Sequence, residues 1–128
     1  MSAKIRALRA FAVAGAALGV ILVSCAGASA YPSRLQVVAK EFYYVLSRRS
    51  LEAGPAVIQL VDFGQDPHDL RVERVGGTHV YGTPIIQPGS IYNLDVTLTP
   101  GKYELWCSVA NHRALGMEAM LVVTPRPG

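Results

Sequence analysis

Residues 101–117 read GKYELWCSVANHRALGM, and this stretch joins a strand pattern to a group of metal-binding side chains. From Lys102 to Cys107 polar and apolar residues alternate, as expected of a half-buried β-strand. Cys107, His112 and Met117 then follow at equal spacing, as Cys-x4-His-x4-Met. Thiolate and thioether favour copper(I), whereas imidazole accepts either oxidation state of copper. The stretch therefore predicts a strand that ends in a loop of metal ligands.

A second histidine is needed to complete this set of donors. Two imidazoles, one thiolate and a weak axial thioether form the donor set of a blue-copper electron-transfer site. His68 is the candidate, because it follows a turn at residues 64–67 and begins a strand pattern. The chain has three histidines, and His79, beside Tyr81, is expected at the surface. This count excludes the additional histidine clusters of a multicopper oxidase and predicts one mononuclear copper site.

The segment from Leu35 onward has the pattern of an all-β protein. Short apolar and β-branched runs alternate with turns rich in glycine and proline. No window of useful length has a helical period, although residues 113–120 could form a short helical turn. The pattern predicts a Greek-key β-sandwich or barrel of seven to eight strands. The strand patterns cover residues 35–40, 42–46, 56–63, 70–75, 78–86, 90–98, 102–107 and 118–124.

Length and charge set limits on function. The chain has 128 residues, of which 51% are hydrophobic, enough for one small folded domain. Its net charge of +3 comes from Lys4, Arg6 and Arg9, and the remaining chain has nine basic and nine acidic residues. With no basic stripe in the chain, nucleic-acid binding is not expected.

Residues 1–30 are expected to be a targeting segment that precedes the folded domain of residues 31–128. Basic residues are followed by an apolar run at 10–23, as in a secretory signal peptide. Cleavage after Ala30 would follow an Ala-Ser-Ala sequence. Cleavage before Cys25 would follow a Leu-Val-Ser-Cys sequence that resembles a bacterial lipobox, and Cys25 would then carry a lipid anchor. An uncleaved membrane anchor is the third alternative. All three predict a domain in the periplasm or at the outer side of the cytoplasmic membrane.

The chain resembles the cupredoxin family of small blue-copper proteins, to which plastocyanin and azurin belong. The resemblance covers about Leu35 to Thr124. Residues 101–117 are similar to the family's final hairpin, Gly-x-Tyr-x-x-x-Cys followed by a His and a Gly-Met. Their ligand spacing is closest to the rusticyanin and sulfocyanin branch. The sequence Asp-Pro-His-Asp-Leu at residues 66–70 is similar to the segment that carries the family's first histidine.

This resemblance implies a ligand set and a function. One copper ion would be held by His68, Cys107, His112 and Met117. The protein would carry single electrons between membrane or periplasmic redox proteins, and would not be an enzyme. No sequence typical of a cysteine hydrolase surrounds Cys107. The alternative is a cell-envelope protein of copper homeostasis or delivery that uses the same ligands. We expect a monomer that docks near His112 through a patch of Pro67, Ala110, Ala114 and Leu115.

Three further residues are expected to surround the ligands: Asp69, Trp106 and Ser108. Family members often have Asn or Ser at the position of Asp69. An acidic group there would favour copper(II), or would form a salt bridge with Arg113 or another base. Trp106 is expected in the core beside Cys107, and Met120 is also expected to point into the core. The aromatic residues at 42–44 are expected to be ordinary strand packing.

Overall fold

The computed structural model describes Gly15 and residues 31–128. Apart from Gly15, the predicted leader lies outside the described residues, as do its cleavage sites at Cys25 and Ala30. In residues 31–128 the chain forms β1 (Ser33–Lys40), β2 (Tyr43–Leu46), β3 (Ser50–Glu52), β4 (Gly54–Asp62), β5 (Arg71–Arg74), β6 (Val80–Gly82), β7 (Ile91–Leu98), β8 (Gly101–Trp106) and β9 (Glu118–Thr124). Within the described residues there is no helix long and apolar enough to cross a membrane.

Two sheets face each other and confirm the predicted β-sandwich. The first sheet has the strand order β2-β1-β4-β7, and the second has the order β3-β9-β8-β5-β6. The pairs β1–β4 and β3–β9 are parallel, and the other neighbouring strands are antiparallel. The chain passes repeatedly from one sheet to the other, for example from β4 to β5 and from β7 to β8. Such crossings are typical of Greek-key sandwiches.

Alternation along the strands fills the space between the sheets. Every second residue of β1 is buried from Leu35 onward, and the same pattern recurs in β8 and β9. Met120 is 49% exposed, so the prediction that it points into the core is wrong. Because side chains alternate along a strand, burial of its neighbour Leu121 turns Met120 outward. The buried set includes Leu35, Val37, Ile58, Leu60, Val72, Val96, Leu105, Leu121 and Val123.

The number of strands exceeds the predicted seven to eight by one. The additional strand is β3, which has three residues and pairs with the end of β9. The helical turn considered for residues 113–120 is not observed, since residues 110–116 form successive turns and β9 begins at Glu118.

One end of the sandwich brings together the segments that matter for function. β4 ends at Asp62 and the chain then reaches His68, while β8 ends at Trp106 directly before Cys107. β1 ends at Lys40, so Glu41 and Phe42 form the connection to β2 at the same end. This end is therefore built from loops that the two sheets hold in place.

Candidate metal centre

His68 is held by backbone hydrogen bonds on both sides of its peptide. Its N–H donates to the carbonyl of Ile86 at 3.1 Å, and the Ile86 N–H donates to the His68 carbonyl at 2.8 Å. This isolated antiparallel bridge fixes His68 outside any regular strand. The side chain of His68 is completely buried. His68 thus follows a turn, as predicted, and the structure holds it in a fixed position with its side chain in the interior.

The loop from Cys107 to Met117 is closed by its own backbone. The Cys107 N–H donates to the Met117 carbonyl at 3.1 Å, and the Met117 N–H donates to the His112 carbonyl at 3.1 Å. Gly116 has a φ of 107°, a value that L-amino acids rarely adopt, and it lets the chain turn back into β9. These contacts bring residues that are ten positions apart in sequence next to each other.

Three predicted ligands converge in the interior of this end. The Cys107 sulfur lies 3.6 Å from Nδ1 of His112 and 4.0 Å from Nδ1 of His68. All three donor atoms lie within 4.8 Å of one another. His68 and Cys107 are fully buried, and His112 is 6% exposed. Both imidazoles therefore present the same ring nitrogen to one buried thiol.

These separations are what a single metal ion requires. Nitrogen and sulfur ligands to a divalent first-row metal bond at about 2.0–2.3 Å, so three of them in a plane lie about 3.5–4 Å apart. The distances from the Cys107 sulfur to the two imidazoles, 3.6 and 4.0 Å, match this requirement. The cluster of His68, Cys107 and His112 fits a blue-copper site in both geometry and donor chemistry.

Met117, the predicted axial ligand, lies in the core next to this cluster. Its side chain is fully buried, and its backbone is hydrogen-bonded to Cys107 and to His112. A thioether is a weak ligand that tolerates a long axial distance. The position of Met117 is therefore consistent with the predicted role, which stays a prediction.

Asp69 and Ser108 join the two ligand-bearing segments directly. Oδ1 of Asp69 accepts a hydrogen bond from the Ser108 N–H at 2.6 Å, and Oδ2 accepts one from the Ser108 hydroxyl. Arg71 also contacts Oδ2, at 3.1 Å. The expected salt bridge of Asp69 to Arg113 or another base is thus confirmed, with Arg71 and not Arg113 as the base.

Arg113 lies instead on the outer side of β8 and β9. Its guanidinium contacts Glu104 at 3.3 Å and Glu118 at 3.4 Å, and it lies 4.5 Å from the centre of the Trp106 ring. Trp106 is accordingly half-buried beneath a cation, and the prediction of a core tryptophan is only partly correct. The reason is again alternation, because the neighbours of Trp106, Leu105 and Cys107, take the buried positions.

Three contributors to the site were not predicted from the sequence. The ring of Phe42 packs against His112 with centroids 4.7 Å apart. The hydroxyl of Tyr44 donates a hydrogen bond to the Asp69 carbonyl. Tyr44 is buried, and this burial raises its pKa. Oε1 of Glu41 contacts Nε2 of His68 at 3.1 Å. The interpretation of residues 42–44 as ordinary strand packing holds for Tyr44, which lies in β2 and in the core, but it leaves out the Tyr44 hydrogen bond to Asp69 and the Phe42 contact with His112. The run of three aromatic residues at 42–44 was the one feature of the sequence that could have indicated these contacts.

The pKa values of Cys107 and Glu41 are shifted from the usual values of a thiol and a carboxyl group. Burial raises the pKa of the Cys107 thiol, so without a cation the sulfur holds its proton more tightly than a free cysteine does. The Asp66 N–H is the main cause that lowers the pKa of Glu41 to about 2, with smaller contributions from the Gln65 N–H and His68. The site thus offers a thiol that a metal must deprotonate, beside a carboxylate that stays ionised.

Solved structures of known proteins share the fold of this chain. No family model and no curated protein matches the chain. An auracyanin from the photosynthetic bacterium Roseiflexus castenholzii, reduced with sodium dithionite, aligns with a TM-score of 0.61 and 15% identity, covering 72% of this chain and 97% of its own. A rusticyanin aligns with a TM-score of 0.58 and 17% identity over 74% and 80% of the two chains. An amicyanin in its reduced Cu(I) form aligns with a TM-score of 0.52 and 18% identity over 76% and 88%.

These alignments establish a shared fold, and the chain is a β-sandwich of the cupredoxin type. The His-Cys-His cluster in its interior is the donor set that the blue-copper class requires.

Proposed function

We propose that this chain is a mononuclear blue-copper protein that carries single electrons. His68, Cys107 and His112 are the equatorial ligands, and Met117 is the weak axial ligand. The observation that supports this most strongly is the convergence of a thiol and two imidazole Nδ1 atoms within 4.8 Å in the interior of the domain. Copper bound there supplies a one-electron couple between copper(I) and copper(II).

The protein's own contribution is to hold the donors in one arrangement. His68 is fixed by its bridge to Ile86, and the loop after Cys107 is fixed by its contacts with Met117. His68 and Cys107 are fully buried and His112 is nearly so, which limits the access of water to the donors. Because the scaffold sets the geometry, the two oxidation states need little rearrangement, which favours fast electron transfer. These features favour a carrier over an enzyme, since an enzyme of this type would need an open position for substrate.

Electrons are proposed to pass through His112, the most exposed of the three clustered ligands. Around it, Ala110 and Ala114 are exposed, Leu115 is 51% exposed and Pro67 is half-buried. This small apolar surface would dock membrane or periplasmic redox proteins with modest dependence on salt. The protein is proposed to act as a monomer.

The proposed location is outside the cytoplasm, in the periplasm or on the outer side of the cytoplasmic membrane. Support comes from the basic and apolar pattern of residues 1–30. Mass spectrometry of the mature protein distinguishes the three processing alternatives. A lipidated N-terminus at Cys25 indicates an anchored lipoprotein, an unmodified start at Tyr31 indicates free secretion, and an intact leader indicates an uncleaved anchor.

Voltammetry and copper transfer together separate the carrier from a delivery protein. For a carrier we expect a reversible one-electron couple, and no loss of copper(I) to a chelating acceptor on the timescale of turnover. His112→Ala should abolish this couple, whereas His79→Ala, which removes an exposed histidine elsewhere, should leave it intact. Rapid loss of copper(I) together with slow, irreversible redox behaviour would contradict the carrier and support delivery.

A further inference from the structure

Glu41 connects the first ligand to the loop that precedes it. A single carboxylate oxygen, Oε1, contacts Nε2 of His68 at 3.1 Å. The same oxygen accepts hydrogen bonds from the N–H groups of Gln65 at 2.6 Å and Asp66 at 2.8 Å. Glu41 lies 27 positions before His68 in sequence, in the connection between β1 and β2. This carboxylate therefore belongs to a different segment from the histidine that it contacts.

The surrounding chain is shaped to admit this contact. A Cβ at Gly64 would lie 2.2 Å from Oε1 of Glu41 and 2.9 Å from Nε2 of His68. Any larger residue at this position would therefore push the two groups apart. The Gly64 N–H also donates to Oδ1 of Asp62 at 2.8 Å, which holds the glycine against the pair. Gly64 thus provides the space in which the carboxylate meets the imidazole.

We propose that Glu41 is a positioning residue for the metal site, which sets the tautomer of His68 and the strength with which its Nδ1 donates to a metal. This inference rests on the proposed function for its effect on copper, whereas its effect on the imidazole is a property of the metal-free protein.

The geometry assigns different tasks to the two ring nitrogens of His68. Nε2 faces Glu41 and Nδ1 faces the Cys107 sulfur. A carboxylate accepts a hydrogen bond and cannot donate one when ionised, so the imidazole proton is placed on Nε2. Nδ1 then keeps its lone pair free for a metal. A carboxylate in this position also makes the imidazole a stronger donor, which favours copper(II) over copper(I).

The second histidine lacks this arrangement. Among the residues that the structure describes, His112 contacts the Phe42 ring and the Cys107 sulfur, and no carboxylate contact to it is found. The two imidazoles are therefore unequal, and the effect of Glu41 should be confined to His68.

Nitrogen NMR of the metal-free protein at neutral pH tests the tautomer. We expect His68 as the Nε2–H tautomer alone in the wild type and in Glu41→Gln, because an amide oxygen still accepts from Nε2–H. In Glu41→Ala we expect a mixture of tautomers at His68. The matched control is Glu52→Gln, which removes the same charge from β3 and should leave His68 unchanged. Finding His68 protonated on Nδ1 in the wild type would overturn the proposal, whether or not the alanine variant folds.

The reduction potential of the copper-loaded protein tests the effect of charge. Glu41→Gln should weaken copper(II) relative to copper(I) by about tenfold, which raises the potential by about 59 mV. Glu52→Gln should leave the potential unchanged. A potential of Glu41→Gln equal to that of the wild type would overturn the effect of Glu41 on the donor strength of His68. If no blue copper site forms in the wild type, the proposed function fails, while the NMR result for His68 still decides the positioning role.

Discussion

Asp69 is the residue that ties the two ligand segments to each other. It follows His68 directly, and its buried carboxylate accepts two hydrogen bonds from Ser108, the residue after Cys107. Arg71 balances its charge at 3.1 Å. A fully buried carboxylate differs from a surface ion pair, because these contacts replace the water that its charge has lost.

Replacement of Asp69 should therefore be costly in a way that depends on the substituent. Asp69→Ala should lower the free energy of unfolding of the metal-free protein by about 2–3 kcal/mol, since the Ser108 N–H and Arg71 lose their acceptor. Asp69→Asn should cost about half as much, because the amide can keep both contacts with Ser108. Urea denaturation measures both values. Equal stability of Asp69→Ala and the wild type would show that the contacts of Asp69 with Ser108 and Arg71 contribute nothing to the free energy of unfolding.

At this scale the sequence reveals metal-binding side chains better than it reveals the residues that surround them. Cys107, His112 and Met117 were predictable because thiol, imidazole and thioether are uncommon side chains, and their equal spacing within one loop is unusual. Glu41 and Phe42 were not, because glutamate and phenylalanine are common and their contacts lie far away in sequence. Only the fold brings the β1–β2 connection to the ligands.

The loop between β8 and β9 is the element on which the site depends. It contributes Cys107, His112 and Met117 in eleven positions, and its second-last residue, Gly116, has a φ of 107°. A Cβ at Gly116 would meet only the Phe42 carbonyl, at 3.8 Å. The need for glycine at this position is therefore conformational and not steric.

Gly116→Ala should lower the free energy of unfolding by about 1–3 kcal/mol, through backbone strain alone. The reverse change tests the same argument, because Ala110 in this loop has a φ of 44°. Ala110→Gly should be neutral or stabilising by up to about 1 kcal/mol, since it relieves a left-handed alanine at some entropic cost. Thermal or urea denaturation of the metal-free variants measures both. Destabilisation by Ala110→Gly as large as that by Gly116→Ala would contradict this account of the loop.

The elements were predicted well where alternation was long enough to be visible. The first, fourth, seventh, eighth and ninth strands have six to nine residues each, and their buried positions recur with a period of two over much of their length. β3 was missed because its three residues include a single buried side chain, Leu51, which is too few to define a period. The short helix considered after Arg113 does not form, because Gly116 ends the turns that precede β9.

In the whole molecule the candidate metal site brings together two loops that are far apart in sequence. His68 lies in the connection from β4 of the first sheet to β5 of the second, whereas Cys107 and Met117 are the first and last residues of the loop that joins β8 to β9. An ion bound by all of them would link that connection to the second sheet in the folded state alone. Folding and metal binding should therefore be coupled.

Copper should raise the thermal stability of the protein. A ligand that binds only the folded state, at a free concentration 1,000 times its dissociation constant, adds about 4 kcal/mol to the free energy of unfolding. We expect a clear rise in melting temperature on addition of copper to the wild type, and little or none for Cys107→Ser. Calorimetry with and without metal checks this. An equal rise in both proteins would indicate that copper binds elsewhere.

The most direct test of the central claim is the visible absorption spectrum of the purified domain loaded with copper(II). We expect one copper per chain and an intense visible band from charge transfer between the Cys107 thiolate and copper, lost on reduction and regained on oxidation. Cys107→Ser should lack this band, and His79→Ala should retain it in full. A colourless copper-loaded wild type, or a band that survives in Cys107→Ser, would contradict the account.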